Sequence, residues 1–105
     1  MVSDLSLFKE EQDDEIVVTL SGEIDISTVA KLREELYAIV DNNDKNLRLE
    51  CTNLKYIDST GLGVLVGVLK KVKKKSKDIY ISNLNQNIKK LFVITGLNKV
   101  FIIEE

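Results

Sequence analysis

Between Leu47 and Val72 the apolar residues change their period, and only a strand running into a helix accommodates that change in so short a stretch. Leu47-Arg48-Leu49-Glu50-Cys51 alternates apolar and polar with a period of two, the pattern of a half-buried strand. From Leu62 onward, Leu62, Leu65, Val66, Leu69 and Val72 fall into one helical stripe. Asp58-Ser59-Thr60-Gly61-Leu62-Gly63 lies at the junction and places two hydroxyls there. Ser59 is expected at or beside a helix N-terminus, where backbone N–H groups lack intrahelical partners and the macrodipole favours negative charge. A phosphate added at this point is either accommodated by the protein or changes its surface.

The flanking sequence supplies a β-β-α-β-α-β-α-β order. Leu5 to Lys9 and Glu15 to Ser21 read as strands joined through Glu10-Glu11-Gln12-Asp13-Asp14, a connection short enough to require antiparallel pairing. Val29, Leu32, Leu36 and Ile39 share one face of a first helix, which Asp25 or Ser27 can cap. Ile79-Tyr80-Ile81 follows as a strand, and Asn83 or Asn85 can open a third helix with Ile88, Leu91, Phe92 and Thr95 on one side. Gly96-Leu97 is a helix stop, and Val100 to Ile103 supplies a last strand. The expected fold is α/β, with a mixed, mainly parallel sheet packed with helices and its later strands joined by right-handed crossovers.

Composition narrows the chemistry. The 105 residues are about one domain's length, with 44% hydrophobic residues and no proline, so residues 1–105 are expected to form a single domain. Cys51 is the only cysteine, which rules out an internal disulfide, and its place in the alternating strand points to burial. Histidine is absent, so a Ser-His-Asp triad and the commonest zinc sets are excluded from this chain alone. The net charge of −2 predicts no general attraction for nucleic acid. Lysines 70, 71, 73, 74, 75 and 77 lack interleaved aromatics and read as a solvated helix end, with contact to an acidic partner as the alternative. Met1-Val2-Ser3-Asp4 carries no leader pattern and no apolar run is long enough to cross a bilayer, so a cytoplasmic protein without membrane contact is expected.

Gly22-Glu23-Ile24-Asp25, Tyr56-Ile57-Asp58-Ser59-Thr60-Gly61-Leu62-Gly63 and Thr95-Gly96-Leu97 together resemble the STAS-domain family, and within it the small bacterial anti-sigma factor antagonists. The resemblance implies a single STAS-like domain that works by exchanging partners. In that family the dephosphorylated antagonist binds an anti-sigma factor that is also a serine kinase, which frees the sigma factor; phosphorylation ends the binding and a protein phosphatase restores it. The modified residue falls on Ser59, with Thr60 as the rival hydroxyl where many members carry a second serine. The implied partner surface comprises Asp25, Asp58, Ser59, Thr60, Gly61, Gly63 and Gly67. ATP and Mg²⁺ belong to the kinase, so no cofactor or metal is expected in this chain. Many relatives continue into a further helix beyond the last strand, whereas this sequence stops at Glu105.

The residues themselves favour a substrate over an enzyme. Asp58 reads as a helix cap rather than a proton acceptor, and Ser59 has no base of its own in sequence. A two-component receiver would need an acidic pair where its first strand enters a helix, whereas Asp13-Asp14 lies between hairpin strands. Asp58 to Gly63 lacks the Walker A lysine pattern and the dinucleotide glycine spacing. A STAS scaffold or sensory module in another signalling complex is the alternative within the family. Gly63 and Gly67, one turn apart on a helix flank, imply close packing against a neighbouring element or the approach of a partner's backbone.

Overall fold

The structure, a computed structural model, describes residues 3–105. Leu5–Glu11 (β1) and Glu15–Ile24 (β2) form an antiparallel hairpin, with Leu5 opposite Gly22 and Glu11 opposite Ile16. There follow Val29–Asp41 (α1), Asn46–Ile57 (β3), Ser59–Lys74 (α2), Ile79–Ser82 (β4), Gln86–Ile94 (α3), a 3-10 turn at Leu97–Lys99, and Ile102–Glu104 (β5). The strands lie side by side in chain order, and β2–β3, β3–β4 and β4–β5 are parallel. Every parallel connection steps the same way across the sheet, so right-handed crossovers bring all three helices to one face. The expected α/β order and mixed sheet are therefore found.

Alternation within the strands builds the core. Ile16, Val18 and Leu20 of β2, Leu47 and Leu49 of β3, and Ile79 and Ile81 of β4 are buried beneath the helices. They meet Leu32 and Leu36 of α1, Leu65 and Val68 of α2, and Ile88 and Phe92 of α3 in one continuous cluster. Burying each such aliphatic side chain stabilises the fold by about 1.5–3 kcal/mol. Phe92 meets Phe101 edge-on, with ring centroids 5.7 Å apart. Cys51 is buried as expected, and desolvation pushes its thiol pKa up to about 12, so the thiol stays protonated at neutral pH.

Several elements differ from the sequence expectation, each for a local reason. The buried face of α1 uses Val40 in place of Ile39, which is only half-buried. In α2, Val64 and Val68 are buried while Val66 is half-exposed, because α1 packs along the Val64–Val68 side and widens the apolar stripe there. Thr95 points to solvent and donates its hydroxyl to the Leu91 carbonyl at 2.7 Å. Asn85, not Asn83, caps α3, accepting from the Ile88 N–H at 2.9 Å. The last strand begins only at Ile102, since Phe101 turns inward to Phe92.

The strand β3 is longer than its alternating stretch, running to Ile57 with Cys51, Leu54 and Ile57 buried. The spacing changes from two to three because the register against β2 shifts twice, between Thr19 and Ser21 and between Gly22 and Glu23. At each shift β3 carries one residue more than β2, as in a β-bulge. β2 likewise continues past Ser21 to Ile24. Gly22 sits at this point with φ +110°, a conformation L side chains rarely adopt, and a Cβ there would run into the Asp4 carbonyl. Gly22→Ala is therefore expected to lower stability by about 1–3 kcal/mol, read as a lower urea midpoint at unchanged slope.

Candidate functional site

The carboxyl ends of β2 and β3 and the mouth of α2 meet at one edge of the sheet, the edge where open α/β sheets carry their sites. Ile24 pairs with Ile57, and the Asp58 N–H donates to the Ile24 carbonyl at 3.2 Å, so Asp25 and Asp58 leave neighbouring strand ends together. Asp58 is extended at φ −108° and caps α2. Its Oδ1 accepts the Thr60 N–H at 3.1 Å, the Gly61 N–H at 3.2 Å and the Thr60 hydroxyl at 2.6 Å. Asp58 is thus the helix cap expected from its position.

This cap separates the two hydroxyls. Thr60 is exposed, but its hydroxyl is held by Asp58. Ser59, the first residue of α2, is exposed, and among the described residues neither its hydroxyl nor its N–H has a hydrogen-bond partner. Two of the N–H groups expected to receive an added anion are already taken by Asp58. The Ser59 N–H and the helix dipole remain for it.

Asp25 does not cap α1, and neither does Ser27. Thr28 stands at the N-cap without a side-chain cap bond; its hydroxyl instead accepts the Asp25 N–H at 3.0 Å and donates to the Glu23 carbonyl at 2.8 Å. The Asp25 carboxylate closes its own turn, accepting the Ser27 N–H at 2.9 Å and the Ser27 hydroxyl at 2.6 Å, and it also receives the Ser3 hydroxyl. These bonds, the Ser27 hydroxyl foremost and then that of Ser3, hold the Asp25 carboxyl below the ordinary aspartate range. The edge therefore presents two carboxylates, Asp25 and Asp58, at neighbouring strand ends beside the mouth of α2.

The three glycines of α2 have different surroundings. A Cβ on Gly61 would stand 2.5 Å from Ile24 Cγ2 and 2.7 Å from Ile57 Cγ1, so the missing side chain lets the first turn lie against the strand ends. At Gly67 a Cβ would meet the Tyr37 hydroxyl of α1, which favours the packing explanation for that position. Nothing lies within 4 Å of a Cβ on Gly63, which is exposed, so internal packing does not account for it. Ile26, which the sequence motifs do not include, and Tyr56, which they include without a role on the surface, are 79% and 49% exposed and lie beside Asp25 and two residues before Asp58. The available signal was Ile26 itself, an aliphatic residue inside a polar turn and outside any stripe.

The lysine-rich end of α2 is largely tied to its own surroundings. Lys71 pairs with Asp41 at 3.0 Å and lies over the Tyr37 ring, while Lys75 donates to the Val40 and Asn43 carbonyls at 2.6 and 2.9 Å. Lys73 pairs with Asp78. These lysines stand at the C-terminal end of α2, where their charge complements the helix dipole, but local bonds hold three of them where a solvated helix end was expected. Asp13 and Asp14 lie in the β1–β2 turn, at the opposite end of β2 from Asp58, so no receiver-like acidic pocket forms. No group of three or more potential metal ligands occurs among the described residues. No helix of the described residues is long and apolar enough to cross a membrane.

A family model described as the STAS domain matches residues 7–105, and the chain belongs to that family. It is 37% identical over 93 residues to an anti-sigma-B factor antagonist of Staphylococcus epidermidis, covering 89% of this chain and 86% of that relative. Among solved structures it is similar to an anti-sigma factor antagonist from Mycobacterium paratuberculosis, at 25% identity and a TM-score of 0.85 over 96% of this chain and 86% of the other. The Bacillus cell-fate determinant SpoIIAA in its phosphorylated form shares the fold, with a TM-score of 0.73 at 19% identity over 93% of this chain and 90% of the other. The family expected from the three sequence motifs is thus borne out.

Two expectations follow from the geometry. Gly61→Ala should lower stability by about 1–3 kcal/mol through overpacking against Ile24 and Ile57, whereas Gly63→Ala should raise it by about 0.5–1 kcal/mol, both read from chemical denaturation. In a carboxyl-carbon NMR titration, Asp25 should titrate below the ordinary aspartate range, and Ser27→Ala should move it back toward that range. Its folded-state pKa is depressed, so its stabilising contribution is present above the unfolded value and lost as pH falls through the folded one.

Proposed function

We propose that this chain is a cytoplasmic anti-sigma factor antagonist whose message is the phosphorylation state of Ser59. The unmodified form binds an anti-sigma factor that is also a serine kinase, and this frees the sigma factor; phosphorylation of Ser59 ends the binding and a protein phosphatase restores it. The observation that carries the reading is the contrast at the α2 mouth, where Ser59 offers a free exposed hydroxyl while the Thr60 hydroxyl is spent on Asp58. The names of the relatives support the partner class. That SpoIIAA has this fold in its phosphorylated form supports a modification that leaves the architecture in place.

The chain acts as a substrate and a binding module. It has no histidine, and the carboxylate nearest Ser59 in sequence is occupied with capping, so the base and the nucleotide are supplied by the kinase. Asp25, Asp58, Ser59 and Thr60 form the charged and polar part of the docking surface. The open flank at Gly63 admits a partner's backbone, and the exposed Ile26 and Tyr56 provide apolar contact. Gly61 serves this surface from below, by seating the helix mouth on the sheet.

Phosphate adds about −1.5 to −2 charges beside two carboxylates that already face the partner. If the repulsion and desolvation amount to about 3 kcal/mol, affinity falls roughly a hundredfold. Calorimetry against the kinase-type anti-sigma factor of the same genome tests the reading. Ser59→Ala should bind as the unmodified protein does, Ser59→Asp and the phosphorylated protein about a hundredfold more weakly, and Thr60→Val should still be phosphorylated at Ser59. Equal affinities of Ser59→Ala and Ser59→Asp would remove Ser59 from the mechanism.

A further inference from the structure

A trough of about 740 Å³ runs between the C-terminal half of α2 and the 3-10 turn before β5. Its floor is aliphatic: Val66 and Leu69 from α2, and Leu97 and Val100 from the opposite side. Its remaining lining is Lys70, Lys73 and Lys74, with no acidic residue. Lys73 is paired with Asp78, but Lys70 and Lys74 have no ion-pair or hydrogen-bond partner among the described residues. They lie one helical turn apart along the same edge. Val100 is 48% exposed, so the floor is open to solvent rather than sealed.

We infer that this trough is a second docking surface, which takes an acidic amphipathic helix of a partner protein. An apolar floor beside two uncompensated ammonium groups calls for a ligand with an apolar stripe flanked by carboxylates. The floor from Val66 to Lys74 is about 12 Å long, or two turns of helix, at 1.5 Å per residue. A small amphiphile needs most of its surface enclosed, which an open trough does not provide; a helix needs only one face covered. The surface is distinct from the Ser59 edge. Val66 stands about 10 Å along α2 from Ser59, close to one screening length in ordinary salt. Occupation of the trough is therefore insensitive to the charge at Ser59, and it goes beyond the partner exchange proposed above.

The test uses the full chain and a labelled model peptide of about 14 residues, with leucines on one helical stripe and glutamates beside it, read by fluorescence anisotropy. A counterpart with lysines replacing the glutamates serves as the control. The acidic peptide should bind, more weakly as salt rises, and Lys70→Glu/Lys74→Glu should cut its affinity by about tenfold or more. Val100→Asp should weaken it as well, with circular dichroism and melting showing both variants folded. Ser59→Asp should change the affinity by less than about twofold, which separates this surface from the switch whatever the fate of the Ser59 reading. No binding, equal binding of the lysine peptide, or an unaltered affinity in the double variant would overturn the inference. Displacement of the peptide by palmitate or by phosphatidylglycerol vesicles that bind more tightly through Lys70 and Lys74 would overturn it in favour of a lipid.

Discussion

A single carboxylate oxygen, Asp58 Oδ1, gathers the first turn of α2 by taking two backbone N–H groups and one hydroxyl, and the character of the whole edge depends on what it leaves over. A cap of this kind contributes about 1 kcal/mol, a modest amount set against a core of buried aliphatics. Its larger effect is selective. By engaging Thr60 it makes two adjacent hydroxyls unequal, although both are exposed. The contact of Gly61 with Ile24 and Ile57 completes the arrangement, because only a residue without a side chain lets that capped turn rest on the ends of two strands. Ser59 is therefore carried on a stiff corner whose geometry the core enforces.

Much of this was legible in the residues. The strand-to-helix change at Asp58, the caps at Asp58 and Asn85, the stop at Gly96 and the antiparallel start all rest on properties that a short segment carries by itself. What escaped the sequence depends on neighbours. The buried side of α2 moved toward Val64 and Val68 because of where α1 lies, and Ile39 yielded to Val40 for the same kind of reason. Asp25 looked like a cap but closes a turn instead, since the Thr28 hydroxyl reaches back to Glu23. Which of Ser59 and Thr60 is free was not readable at all, because it is settled by one rotamer and one hydrogen bond.

The lysines of α2 show how one compositional feature divides into separate physical roles. Those toward α1 are drawn into local bonds with Asp41, Asp44 and the carbonyls that end that helix. On the other flank Lys73 pairs with Asp78, while Lys70 and Lys74 border aliphatic residues and have no ion-pair partner among the described residues. The helix thus has a negative mouth and a positive tail, and the two ends address different neighbours even though they belong to one rigid rod about 24 Å long.

The irregular pairing of β3 with β2 has a further meaning for how such a chain can vary. Two surplus residues are absorbed between Glu50 and Tyr56, and each reverses which side of the sheet the following side chain faces. Losing one of them would remove one of the two shifts but turn Tyr56 inward and Ile57 outward, and the helix that begins next would emerge rotated. The kinks in this strand act as a phase setting for everything downstream, so the edge can tolerate exchange of side chains far more readily than a change in length.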